Sequence, residues 1–245
     1  MSGPAATVDA VNTLQGWCRV RAGRVLAAAS LTLVAACGSS VAPAGSTASS
    51  PAAPIRGGDV LPSPVALPQA SASAARASAA AFSASDGTRP TLAQLQQGHL
   101  MLVFFGYTHC PDVCPTTMAS LGVALRSAPA DVQRAVRVVF VTSDPYRDKP
   151  AALKAWLSNF DAGLPQPFLG LTAPATQILA AAGALGVPLV PTGKNPDGST
   201  SYDHGTQVLA FQNGVAKVLW LAATTPQDYT HDLTTLVRDP ASVHA

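Results

Sequence analysis

The sequence predicts an α/β domain, a central mixed sheet with flanking helices, preceded by a flexible tether. Three observations carry that prediction. Leu100 to Phe105 (LMLVFF) is a continuous apolar run, the pattern of a strand buried on both faces. Beyond it, apolar segments of strand length alternate with helical ones. Near the end, Asn213-Gly214 sits between two apolar stretches and marks a two-residue hairpin.

Element by element, Phe82 to Thr88 reads as a strand entering an Asp-Gly turn. Leu100 to Phe105 is the first buried strand, and a helix follows over about Cys114 to Leu125. Val136 to Val141 is the next strand, and Pro150 opens a helix reaching about Phe160. A short strand at Phe168 to Leu171 precedes an Ala-rich helix from Pro174 to Leu185. Residues 188–201, rich in Pro, Gly, Asn and Asp, read as a long turn-rich loop. Gln207 to Phe211 and Val215 to Leu221 form the closing hairpin, and Thr225 caps a last helix from Pro226 to Val237. The order β-α-β-α-(β)-α-β-β-α is that of a thioredoxin-like architecture.

The segment before this domain has a different texture. Arg19, Arg21 and Arg24 precede the apolar run Val25 to Ala36, a basic region followed by a hydrophobic one, as in an export signal. The run is shorter than the roughly 20 residues of a membrane-spanning helix. It ends Val34-Ala35-Ala36-Cys37, a pattern that resembles the bacterial lipobox, in which the cysteine is lipidated and becomes the new N-terminus. Residues 38 to about 84 are mostly Ser, Ala, Pro and Gly and offer little apolar surface to offset ordering entropy. The expected organisation is a signal peptide at 1–36, lipid anchor Cys37 with a linker to residue 81, and a folded domain at 82–240. The expected location is the extracytoplasmic face of a bacterial cell membrane. Formal net charge is only +2, without a basic stripe or zinc-finger spacing, which argues against a nucleic-acid partner.

Chemistry concentrates in Gly106-Tyr107-Thr108-His109-Cys110-Pro111-Asp112-Val113-Cys114-Pro115, between a buried strand and a helix start. A helix N-terminus stabilises anions, so thiols there are expected to ionise more easily than free ones. With spacing i, i+4, Cys110 and Cys114 can converge on one ion or close a disulfide. The residues alone leave a metal site and a structural disulfide both open. Two soft thiolates suit Cu(I), zinc or iron–sulfur clusters, and a further ligand must come from elsewhere. His204, in Tyr202-Asp203-His204-Gly205, precedes a strand expected beside the active helix, and Asp203 is placed either to orient its ring or to favour its cation. His109 is the rival ligand, pointing the other way from Cys110. His99, His231 and His244 read as surface residues. Asp144 and Arg147, in SDPYRDKP, either shape a loop near the site or cap the helix at Pro150.

Together, FFGYTHCPDVCPTTMASL, FVTSDPYRDKP and DHGTQVLAF resemble the Sco/SenC family of copper chaperones for cytochrome c oxidase, over about Phe82 to Val237. The resemblance implies that Cys110, Cys114 and His204 hold one copper ion, as Cu(I) or Cu(II). It implies assistance in building the binuclear copper site of oxidase subunit II, with a copper donor and a thiol reductant as further partners. Its alternative is a thiol–disulfide oxidoreductase that reduces the oxidase cysteines through Cys110 and Cys114. The family often anchors itself by a transmembrane helix, which the lipobox-like Cys37 replaces here. A peroxiredoxin-like peroxidase fits less well, because no peroxide-activating arginine is evident.

Overall fold

The computed structural model describes residues 55–66, 80–198 and 200–243. Signal segment, Cys18, Cys37, His244 and most of the linker lie outside the described residues.

A seven-stranded sheet forms the centre. Its strands are β1 (Gly58–Ala66), β2 (Ser83–Ala84), β3 (Leu100–Gly106), β4 (Val136–Thr142), β5 (Leu169–Thr172), β8 (Val208–Gln212) and β9 (Val215–Trp220), with a separate two-stranded ribbon of β6 (Leu189–Lys194) and β7 (Thr200–His204). The order across the sheet is β1-β9-β8-β3-β4-β5-β2. β3, β4 and β5 run parallel, and the flanking pairs are antiparallel. The helices are α1 (Leu92–Gln96), α2 (Val113–Ser127), α3 (Ala130–Ala135), α4 (Pro150–Leu157), α5 (Ala175–Ala184) and α6 (Pro226–Arg238). This is the mixed sheet with flanking helices of the thioredoxin-like class. Among the described residues, no helix is long and apolar enough to cross a membrane.

The continuous apolar run of β3 follows from its central place, since alternate side chains enter two different cores. Leu100, Leu102 and Phe104 pack with Met118 and Leu121 of α2, Leu153 of α4 and Leu233 of α6. Met101, Val103 and Phe105 pack with Leu92 and Leu95 of α1 and Ile178 and Ala182 of α5. Every one of the six β3 side chains is buried. The closing hairpin turns at Asn213 and Gly214, whose φ angles are 52° and 83°, the left-handed pair that an Asn-Gly turn supplies.

Two segments differ from the sequence expectation. Residues 58–66, assigned by composition to the linker, form edge strand β1 against β9. Pro62 and Pro64 lack the N–H of a ladder, and the pairing breaks between Val60 and Val65 to admit them, which only an edge strand tolerates. The expected loop at 188–201 is largely the β6–β7 ribbon, with a bulge between Pro191 and Gly193. Helices α1 and α3 were also not anticipated. α1 starts at a capping box in which Thr91 and Gln94 bond reciprocally.

Candidate metal centre

The thiol pair sits where β3 ends. Leu100–Gly106 pairs in register with Val136–Thr142, so Gly106 lies opposite Thr142. A Cβ on Gly106 would come within 2.6 Å of the Cys114 sulfur, so only glycine lets the thiol rest against the strand end. The chain then turns, with the Cys110 N–H donating to the Tyr107 carbonyl at 3.2 Å. α2 begins at Val113, placing Cys114 and Pro115 in its first turn. Cys110 is half-buried, Cys114 is fully buried, and both thiols are free.

β7 brings the third group. His204 is its last residue, and the ring stands edge-on to Phe104 and Tyr107 with centroids 5.5 Å from each. Its Nδ1–H donates to the Gly205 carbonyl at 2.7 Å. That bond fixes the neutral tautomer and leaves Nε2 with a free lone pair, 3.0 Å from the Cys114 sulfur. The ligand atoms of Cys110, Cys114 and His204 all lie within 4.8 Å of one another. His109 points elsewhere: its exposed ring contacts the Thr108 hydroxyl at 3.0 Å and faces Asp148.

The electrostatics correct one expectation. Burial pushes the Cys114 thiol well above the ordinary cysteine range, with Cys110 and Asp148 adding and the Tyr107 backbone opposing. Desolvation therefore outweighs the helix start, and Cys114 stays protonated until a cation arrives to replace the proton. Burial pushes His204 down, against the opposing pull of Gly205 and Asp203, so its ring stays neutral.

Asp203 makes its hydrogen bond to the backbone, and acts on the ring only through its charge, which favours the cation against burial. Its carboxylate accepts the His204 N–H at 2.9 Å, while Gly205 orients the imidazole. Asp144 is buried and paired with Arg147, and it lines a cavity of about 320 Å³ together with Tyr107, Tyr202 and Asp203. His99 and His231 are half-buried rather than on the surface, and His99 meets Arg137 at 3.0 Å.

Sequence reasoning passed over Asp148. It is fully buried and accepts the Thr108 N–H at 2.9 Å, the Thr108 hydroxyl at 2.6 Å and the Thr142 hydroxyl at 2.7 Å. The reading of SDPYRDKP singled out Asp144 and Arg147 and gave Asp148 no role. The available signal was a second carboxylate, four residues after Asp144, beside a strand end that faces the cysteines.

With the geometry in view, comparison with known proteins is direct. The SCO1/SenC family model matches residues 71–238. The chain belongs to the SCO1/SenC family. A Stutzerimonas stutzeri protein, provisionally named as copper-binding, is 36% identical over 116 residues, covering 47% of this chain and 54% of that protein. The yeast mitochondrial protein SCO1 is 37% identical over 75 residues, covering 31% of this chain and 24% of the relative. The matches thus span about half or less of these curated relatives' own length. Among solved structures, apo Sco1 of Thermus thermophilus is similar at TM-score 0.60 and 28% identity, over 73% of this chain and 95% of that one. Copper-bound ScoI of Bradyrhizobium japonicum is similar at TM-score 0.53 and 30% identity, over 63% and 94%.

Proposed function

We propose that this SCO1/SenC protein carries one copper ion on Cys110, Cys114 and His204 and delivers it to the binuclear copper site of cytochrome c oxidase subunit II. The convergence of two sulfurs and one unprotonated imidazole nitrogen within 4.8 Å carries the reading. That donor set fits copper, being soft, nitrogen-and-sulfur and one ligand short of a structural zinc site. The related copper-bound ScoI supports it. In this reading the ion displaces the proton that burial holds on the Cys114 thiol, and Nε2 of His204 completes the set. Closing a Cys110–Cys114 disulfide removes two of three ligands and ends copper holding.

We place the protein on the extracytoplasmic face of a bacterial membrane, anchored through a lipid on Cys37, supplied by a copper donor and kept reduced by a thiol reductant. A related Bacillus anthracis SCO1/SenC protein is called a lipoprotein. A second reading, reduction of the oxidase cysteines by thiol exchange, is favoured by the asymmetry of the pair. Half-buried Cys110 is open to a partner, and fully buried Cys114 sits one turn behind to resolve the mixed disulfide.

Copper stoichiometry on the reduced full chain, beside His204→Ala, tests the proposal. The expected result is one ion per chain with a thiolate-to-Cu(II) absorption band that His204→Ala abolishes. Absence of copper uptake at neutral pH with both thiols free sinks copper delivery and leaves thiol exchange.

A further inference from the structure

We propose that Asp148 is a positioning residue for the thiol pair, clamping the Thr108 turn to the end of β4 so that Cys110 is held at its working distance from Cys114 and His204. Thr108 lies two residues past β3 and two before Cys110, while Thr142 is the last residue of β4. The Asp148 carboxylate joins them. Oδ2 accepts both the Thr108 N–H and the Thr142 hydroxyl, and Oδ1 accepts the Thr108 hydroxyl. Thr142 is itself held by the Asp144 N–H at 2.9 Å, and the Asp148 N–H donates to the Asp144 carbonyl at 3.0 Å. The turn before Cys110 is thereby tied into the SDPYRDKP loop.

Burying a carboxylate is costly unless its oxygens are fully bonded. A turn clamp alone does not require a charge, and the only cationic candidate within 4 Å among the described residues is the exposed His109 ring, at 3.9 Å. One feature explains the acid. All three groups facing it are donors, and an asparagine would present an NH₂ to one of them. The clamp works toward a site that is preformed.

The metal-free full chain supplies a readout that does not rest on the copper reading. At equilibrium with glutathione disulfide, the Cys110 and Cys114 thiols give up two electrons and two protons. An S–S bond forms between them, and glutathione disulfide leaves as two glutathione thiols. Asp148→Asn should shift this equilibrium about tenfold toward the dithiol, the scale of a lost charge-assisted hydrogen bond. Thr108→Ala, which alters no charge, should shift it in the same direction by less, and Thr108→Ser, which keeps the hydroxyl, should restore the parent value. In the copper-loaded chain, where the copper reading enters, the first two variants should also displace the thiolate-to-Cu(II) band. If Asp148→Asn fails to fold, the Thr108→Ala and Thr108→Ser pair decides. A folded Asp148→Asn chain with the parent thiol equilibrium, or Thr108→Ala indistinguishable from Thr108→Ser, overturns the proposal.

Discussion

Two aspartates among the described residues are fully buried, and they are used differently. Asp232, on α6, accepts four N–H groups: those of Arg56, Gly57 and Gly58 at 2.7, 3.0 and 3.1 Å, and the Trp220 indole at 2.9 Å. Asp148 accepts one N–H and two hydroxyls beside the thiol pair. The first is bonded almost wholly to backbone and a rigid ring, and it fastens the start of β1 to the domain. A Cβ on Gly57 would meet Asp228 at 2.5 Å, so that junction also depends on glycine. The second works through hydroxyls, whose hydrogens rotate, and has a titratable ring nearby. Full saturation makes either acid tolerable, but only the first is wired as a permanent joint.

The sharpest way to break the contrast is Asp232→Ala. Four donors lose their partner, the buried Trp220 indole among them, and the expected loss is about 4 kcal/mol of unfolding free energy, measured by denaturant titration. Copper stoichiometry of the fraction still folded should not change. A variant that keeps its stability but loses copper would reverse the roles assigned to the two acids. Next in size is Gly106→Ala, where the added methyl meets the Cys114 sulfur. It should cost about 1–3 kcal/mol through overpacking and weaken copper binding by tenfold or more, read by competition with a copper chelator. The smallest effect belongs to His99. Burial and the neighbouring Arg137 hold its pKa below the ordinary value of 6.5, so the folded chain prefers the neutral ring. That preference contributes fully above the unfolded value and is lost as pH falls through the lower folded one. His99→Gln should therefore flatten the decline in melting temperature as pH falls below the ordinary histidine value of 6.5, without touching the thiols. An unchanged decline would show that acid sensitivity arises elsewhere.

The sequence made some of this plain. The LMLVFF run read as a buried strand and Asn213-Gly214 as a tight hairpin, and both readings hold because local pattern and final burial agree there. Cys110 and Cys114 were legible from their place between strand and helix. His204 was reached by topology, and the structure brings its ring to the pair. β1 was hidden because Ala, Pro and Ser composition reports low burial, while edge pairing needs only backbone. The β6–β7 ribbon was hidden by its turn-forming residues, which a bulge accommodates. Asp148 was hidden because its value lies in three long-range donors that local spacing does not reveal. Helix-start reasoning about thiol acidity failed at Cys114 because it contains no term for desolvation.

The β6–β7 ribbon pairs only with itself and stands apart from the seven-stranded sheet. Both sulfurs are therefore carried on the segment from the end of β3 into the first turn of α2, while the imidazole is carried by a ribbon outside the sheet, held to it by the Phe104 ring and by the Ser143 hydroxyl on the Tyr202 carbonyl. Such a division lets the two halves vary on separate schedules. Inheritance or engineering can lengthen, shorten or replace the segment between Lys194 and Thr200 as a cassette, retuning the nitrogen's reach without reopening the packed interior that keeps the dithiol in place.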